Sequence, residues 1–126
     1  METIEVYKES IIQKKSFDFA VSIVNLYKEL SKTGDSTILR QVLRSATSIG
    51  ANVQEGSAGQ TKRDFVTKMS IASKEARETL YWLRLLTVTN YYNRDLKKYY
   101  NECDEIVRIL TKIVKTSQET LLKTKN

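Results

Sequence analysis

Glu75 and Glu78 stand three residues apart, a spacing that sets two carboxylates on one side of a helix. Such a pair could hold a metal ion or move protons. Di-metal helical bundles combine glutamates of this kind with a Glu-x-x-His motif, and this chain contains no histidine. Histidine is also the commonest general base and the usual activator of a nucleophile near neutral pH. The two glutamates are therefore expected to form ion pairs, and no catalytic residue, metal ligand or cofactor is assigned. Cys103 is the single cysteine. It has no partner for an internal disulfide and no histidine with which to share a zinc ion, and it falls on an apolar stripe where a buried thiol is ordinary. The sequence is read as that of a non-enzymatic protein.

Cations offer a different chemistry. The chain carries 21 Lys and Arg against 15 Asp and Glu, a net charge of +6. Residues 36–94 hold nine of these cations against four acids, so the excess is concentrated in the middle. Arg63, Lys74, Arg77 and Arg84, with Tyr81 among them, fall within about 80° of arc at 100° per residue. Their row would run about 30 Å along a helix. A row of that length can track several phosphates, and Tyr81 could stack on an unpaired base. Lys97, Arg108, Lys112 and Lys115 form a second outward row, diluted by Asp104 and Glu105. RNA or DNA is thus the expected partner, bound through the backbone, since no helix-turn-helix, zinc-finger or single-strand fold signature is present. The alternative is a protein-interaction scaffold whose basic excess only keeps it in solution.

The elements that would position these residues are helices. Proline is absent and there are only four glycines in 126 residues, too little punctuation for a hairpin-rich β protein. Apolar residues at three- and four-residue steps predict helices over about 8–30, 37–55, 62–89 and 95–122. Gly34 and Asp35 suit the first break. Gly56, Ser57, Ala58 and Gly59 suit a small-residue turn, after which Thr61 and Asp64 offer a capping box. The expected core stripes are Ile12, Phe19, Ala20, Ile23, Tyr27 and Leu30; Ile38, Val42, Ala46, Ile49 and Val53; Phe65, Met69, Ala72, Ala76, Leu80 and Leu83; and Leu96, Tyr100, Cys103, Val107, Leu110, Val114 and Leu121. Short links make successive helices antiparallel, so the expected fold is an all-α, antiparallel, up-down-up-down four-helix bundle forming a single domain over 1–126. No apolar stretch approaches the roughly 18 residues needed to cross a bilayer, and a cytoplasmic location without membrane contact is expected.

Two helices carry a second face. Arg44, Ser48, Ala51 and Glu55 line one side of the second helix, opposite Ile38, Val42 and Ile49. Arg44 and Glu55 are about 16 Å apart along the axis, so each needs a partner elsewhere. On the third helix Ile71, Glu75, Glu78, Trp82 and Leu86 mix large apolar groups with acids. A monomeric bundle needs one apolar face per helix, so these extra faces imply subunit packing, or else helices buried on two sides within one chain.

Residues 39–56, LRQVLRSATSIGANVQEG, followed by residues 63–86, RDFVTKMSIASKEARETLYWLRLL, resemble the bacterial four helix bundle protein family encoded in intervening sequences of 23S rRNA genes. Arg44, Ser48, Ile49, Asn52, Glu55 and Gly56 match the first part of its pattern. Ala72, Ser73, Glu75, Glu78, Trp82 and Leu83 match the second. The chain departs from the family in having Thr33, Gly34 and Asp35 where a proline is common, and Gly50 and Gln54 where alanines are commoner. Related proteins include the accessory variability determinant of diversity-generating retroelements, a basic bundle that forms homopentameric rings and binds nucleic acid and a reverse transcriptase. What the resemblance implies here is a homo-oligomer, a pentamer first, with a nucleic-acid partner and, by analogy, a reverse transcriptase.

Overall fold

The computed structural model describes residues 9–124. Lys8, the expected start of the first helix, lies outside the described residues, as do Met1 and Asn126, the ends of the expected domain. The elements are α1 (Ile11–Leu30), α2 (Thr37–Ser57), α3 (Lys62–Val88) and α4 (Lys97–Thr124), and no strand occurs among the described residues. α1 packs on α2 and α4, and α3 packs on the same two helices, so the four surround one core. Among the described residues no helix is long and apolar enough to cross a membrane.

The buried positions repeat with alternating steps of three and four. In α1 they are Ile12, Ser16, Phe19, Ile23, Leu26 and Leu30; in α2, Leu39, Val42, Ala46, Ile49, Val53 and Gly56. In α3 the same steps join Met69, Ala72, Ala76, Thr79, Leu83 and Leu86. Leu96 is buried just before α4, and one heptad later the steps resume within it at Cys103, Ile106 and Leu110. This is the heptad pattern of bundles whose helices cross at a shallow angle and interdigitate. Burying a side chain such as Phe19, Ile23 or Leu83 is worth about 1.5–3 kcal/mol each, so this seam is the main source of stability.

The heptad explains where the fixed 100° wheel misplaced residues. A straight wheel drifts by about 20° per heptad against a 3.5-residue seam. Leu86, expected on the second face of the third helix, is 1% exposed in the core, as is Thr79 at 0%. Leu26 and Ile106 also join the core, whereas Ala20, Tyr27, Phe65, Leu80, Tyr100 and Val107 are only half-buried at its margin.

Polar groups lock the register of α2 against α3. Thr79 donates to Ser45 Oγ at 2.7 Å, with both side chains buried, and Ser45 donates in turn to the Gln41 carbonyl at 2.9 Å. Such a bond adds about 1 kcal/mol net, and apolar replacement of one partner removes it. Lys68 pairs with Glu55 at 3.6 Å nearer the turn. Residue numbers therefore rise along α2 as they fall along α3. The two helices approach closely at Gly56, where an added Cβ would lie 2.9 Å from Lys68 Cβ and 3.3 Å from Met69 Cε. Gly56 and Ser57 accordingly belong to α2 and not to the turn expected from their composition. Ser57 Oγ bonds the Val53 carbonyl at 2.8 Å, extending the last turn.

The ends are set by side chains. Ser10 and Gln13 form a complete capping box on α1, which the sequence reading did not single out. On α3, Thr61 Oγ1 accepts from the Asp64 N–H at 3.0 Å. Asp35 accepts from both the backbone N–H and the hydroxyl of Thr37, and these bonds hold its carboxyl below its ordinary value. Asp95 accepts from the Lys97 N–H at 2.9 Å, which starts α4 two residues later than expected. α3 ends with Asn90 in the left-handed region, φ 47°, while the Tyr91 N–H reaches the Leu86 carbonyl at 3.2 Å. Asparagine tolerates that conformation better than other side chains. The turn after α3 is joined to the α1 end by Arg94 with Glu29, and to the α1–α2 loop by Tyr92 donating to the Asp35 carbonyl at 2.7 Å.

Two glycines distinguish helix propensity from helix contact. At Gly50 a Cβ would meet the Ser16 carbonyl oxygen at 3.4 Å, an ordinary contact. Gly50→Ala is expected to stabilise the protein by up to about 1 kcal/mol, whereas Gly56→Ala is expected to destabilise it by about 1–3 kcal/mol through overpacking. Urea denaturation of the two variants checks this, and equal shifts of the same sign would contradict the close approach at Gly56.

Candidate functional site

The outward faces of α3 and α4 meet in one basic surface. Arg63, Lys74, Arg77 and Arg84 are exposed along α3, and Lys97, Arg108, Lys112 and Lys115 are exposed along α4. Arg77 joins the rows by donating to Thr111 Oγ1 at 2.9 Å. Of the two acids expected to dilute the α4 row, Asp104 pairs with Arg108 at 3.0 Å. Glu105 turns the other way and pairs with Lys15 of α1 at 2.6 Å. The Lys15 ammonium keeps that carboxyl below its ordinary range. Tyr81 keeps 58% of its surface exposed while contacting Trp82 edge-on, with ring centroids 5.1 Å apart.

On the neighbouring side, α2 and α3 bring together most of the second-face residues. The Arg44 guanidinium pairs with Glu78 and, at 3.4 Å, with Glu75. Its Nε reaches Gln41 Oε1 at 3.3 Å, and Trp82 Nε1 donates to Glu78 Oε2 at 3.2 Å. One cation thus faces two carboxylates, which makes the pair part of an ion-pair cluster and leaves no open acidic pair. Arg44 and its partners are partly exposed, so each ion pair contributes only about 0.2–1 kcal/mol. Glu55 finds its partner in Lys68. Asn52 stays within α2, donating to the Ser48 carbonyl at 2.9 Å and to Ser48 Oγ at 3.1 Å. The charged members of the second faces are therefore satisfied within one chain.

Ala51 lies apart from this cluster. It is exposed and lines a surface cavity of about 570 Å³ between α1 and α2, together with Phe17, Ala20, Thr47, Gly50 and Gln54. Phe17, Val21 and Val24 continue the apolar surface along α1, with exposures of 63%, 44% and 40%. Sequence reading passed over these three. Their own spacing of four and three, one step off the core stripe, is the signal that could have found them.

Residues 8–112 match the sequence profile of the 23S rRNA-intervening sequence protein family. The chain belongs to this family. Among solved structures it is similar to the crystal structure of a protein with unknown function from the S23 ribosomal protein family of Bacteroides thetaiotaomicron VPI-5482. The two are 44% identical with a TM-score of 0.76, over 83% of this chain and 99% of that one. No functionally curated protein matches the sequence. The stretch matched to the intervening sequence protein family takes in the whole Arg44–Glu75–Glu78–Trp82 cluster and the basic row of α3. In α4 it reaches Lys112 and stops short of Lys115.

In this member of the intervening sequence protein family Cys103 is fully buried, its thiol directed at the Ala76 carbonyl oxygen at 3.3 Å. Burial pushes the thiol pKa up to about 12, which leaves little of the nucleophilic thiolate near neutral pH. Among the described residues no group of His, Cys, Asp and Glu is arranged to hold a metal ion. Cys103 is expected to resist a disulfide reagent at pH 8 in the native protein and to react fully once denaturant unfolds it. Rapid stoichiometric labelling without unfolding would contradict the burial.

Proposed function

We propose that this chain is a non-enzymatic, antiparallel up-down-up-down bundle that assembles into a homo-oligomer and binds RNA or DNA backbone through its α3–α4 face. The observation that carries the reading is the disposition of the cations. Among the described residues Arg63, Lys74, Arg84, Lys97, Lys112 and Lys115 have no carboxylate within ion-pair distance and are gathered on the basic surface, whereas the unpaired Lys28, Lys32 and Arg40 stand apart on α1, the α1–α2 loop and α2. Arg44, Lys68 and Arg94, by contrast, are matched with acids of the same chain. Unmatched cations on one surface attract a polyanion, and each phosphate they neutralise releases condensed counterions.

Assembly is supported by exposed Phe17, Val21 and Val24, spaced to share one face of α1, with Phe17 lining a cavity beside Ala51. The kinship of the resembled family with the ring-forming accessory variability determinant favours a pentamer. Repeating the basic face in every subunit would make weak contacts multivalent. A protein-interaction scaffold would use the same apolar surface and have no use for the basic one.

Binding of generic RNA and DNA, followed by anisotropy across a range of salt, tests the reading. Affinity should be nearly indifferent to sequence. Lys74→Gln combined with Lys112→Gln should flatten the slope of log K against log salt by about 0.7–0.9 per lost phosphate contact. Light scattering on the same sample should give a mass several times the 14.5 kDa of one chain, and Ala51→Glu should lower it. No retention of either nucleic acid at about 50 mM salt, a condition that exaggerates surface electrostatics, would leave the scaffold as the better account.

A further inference from the structure

Two adjoining surface cavities open where α3 ends and α4 begins. The larger, about 420 Å³, is lined by Arg84, Lys97, Tyr100 and Asn101 among others. The smaller, about 210 Å³, lies between Tyr81, Arg84, Leu85 and Val88. Arg84 and Val88 line both, so these two residues form the ridge between them. Neither Arg84 nor Lys97 has a carboxylate within ion-pair distance among the described residues. The larger cavity falls within the usual volume range of small-ligand sites, about 300–1,000 Å³.

We infer that this pair of cavities is a docking site for single-stranded nucleic acid, which seats one base against Tyr81 and Val88 in the smaller cavity, carries its backbone over Arg84, and places the neighbouring nucleotide in the larger. The inference rests on the nucleic-acid reading above and narrows its substrate class. Each wall has a complementary group. Tyr81 offers a rigid aromatic surface, already braced edge-on by Trp82, and Val88, exposed at 76%, extends the apolar floor. Arg84 and Lys97 supply the positive charge for the phosphates. Asn101 offers an amide to a base edge, and Asp95, which also lines the larger cavity, offers an acceptor and disfavours phosphate on its own side. A duplex keeps its bases stacked inside and has none to insert, whereas a single strand can splay its bases onto such surfaces.

The test compares a ten-nucleotide single strand of deoxythymidine with a ten-base-pair duplex, using the full chain in its native assembly. Tyr81→Ala should weaken the single strand by about 5- to 150-fold, leave duplex affinity within about twofold, and leave the salt slope unchanged because no charge is lost. Tyr81→Phe should retain single-strand binding. Arg84→Gln should weaken both forms and flatten the slope. Trp82, the single tryptophan, lies against Tyr81 and should change its fluorescence on adding the single strand but not the duplex. Wild-type binding with a Tyr81→Ala variant that binds the single strand as tightly would overturn the site while leaving backbone binding in place. Wild-type protein that binds neither form would overturn the reading beneath it as well.

Discussion

Alternating steps of three and four residues run through the buried positions of all four helices, and this one register decides which side chains remain for any other task. With Leu39, Val42, Ala46, Ile49, Val53 and Gly56 turned inward on α2, Arg44, Ser48 and Ala51 must turn outward. With Met69, Ala76 and Leu83 inward on α3, Glu75, Glu78 and Trp82 fall toward α2, while Lys74, Tyr81 and Arg84 fall toward solvent and α4. Small residues in the seam, Ala46, Gly56, Ala72 and Ala76, allow α2 and α3 to approach closely. The buried Ser45–Thr79 bond then selects one axial match between them. An apolar seam alone would tolerate a slip of one heptad; a buried hydroxyl pair disfavours it, because slippage breaks the link between the helices and leaves Thr79 only the Glu75 carbonyl of its own helix, 2.8 Å away.

The same register divides the charge of the molecule into two kinds of surface. Between α2 and α3, acids and bases are interleaved and pair across the helices, so that face is nearly neutral and carries little field. Between α3 and α4, the acids are few, and Glu105 is drawn away by Lys15 of α1. What remains is a surface on which Arg108 is paired with Asp104, while Arg63, Lys74, Arg84, Lys97, Lys112 and Lys115 have no acid within ion-pair distance among the described residues. The physical contrast between a self-satisfied face and an unsatisfied one, within the same helix, is the basis for assigning polyanion binding to the second. The apolar surface of Phe17, Val21 and Val24 belongs to neither. It lies on α1 and joins Ala51 of α2, leaving the basic face open for a different partner.

Much of this was legible in the sequence. The four helices follow from periodicity, and the family resemblance read from residues 39–56 and 63–86 agrees with the profile match over residues 8–112. The pairing of Arg44 and Glu55 with other helices was required by their separation along α2, although the partners, Glu75 with Glu78 and Lys68, depend on a register that a single sequence does not print. Leu86 was misplaced because a 100° wheel accumulates error over 27 residues of helix. Gly56 read as a turn because composition cannot tell a glycine that bends the chain from one that admits a neighbouring helix. Ser45 and Thr79 were passed over because buried hydroxyls look like surface residues until their partners are known. The direction of Glu105 depends on α1, which lies 90 residues away in sequence.

The central claim is that the α3–α4 face meets the nucleic-acid backbone, and lysine footprinting tests it most directly. The protein would be acetylated with a limiting reagent, with and without saturating single-stranded RNA, and the modification at each lysine read by mass spectrometry. The account predicts protection of Lys74, Lys97, Lys112 and Lys115, with Lys14 and Lys28 of α1 modified equally in both samples. Protection centred on the α1 lysines, or no difference at any lysine under conditions where RNA is bound, would contradict it.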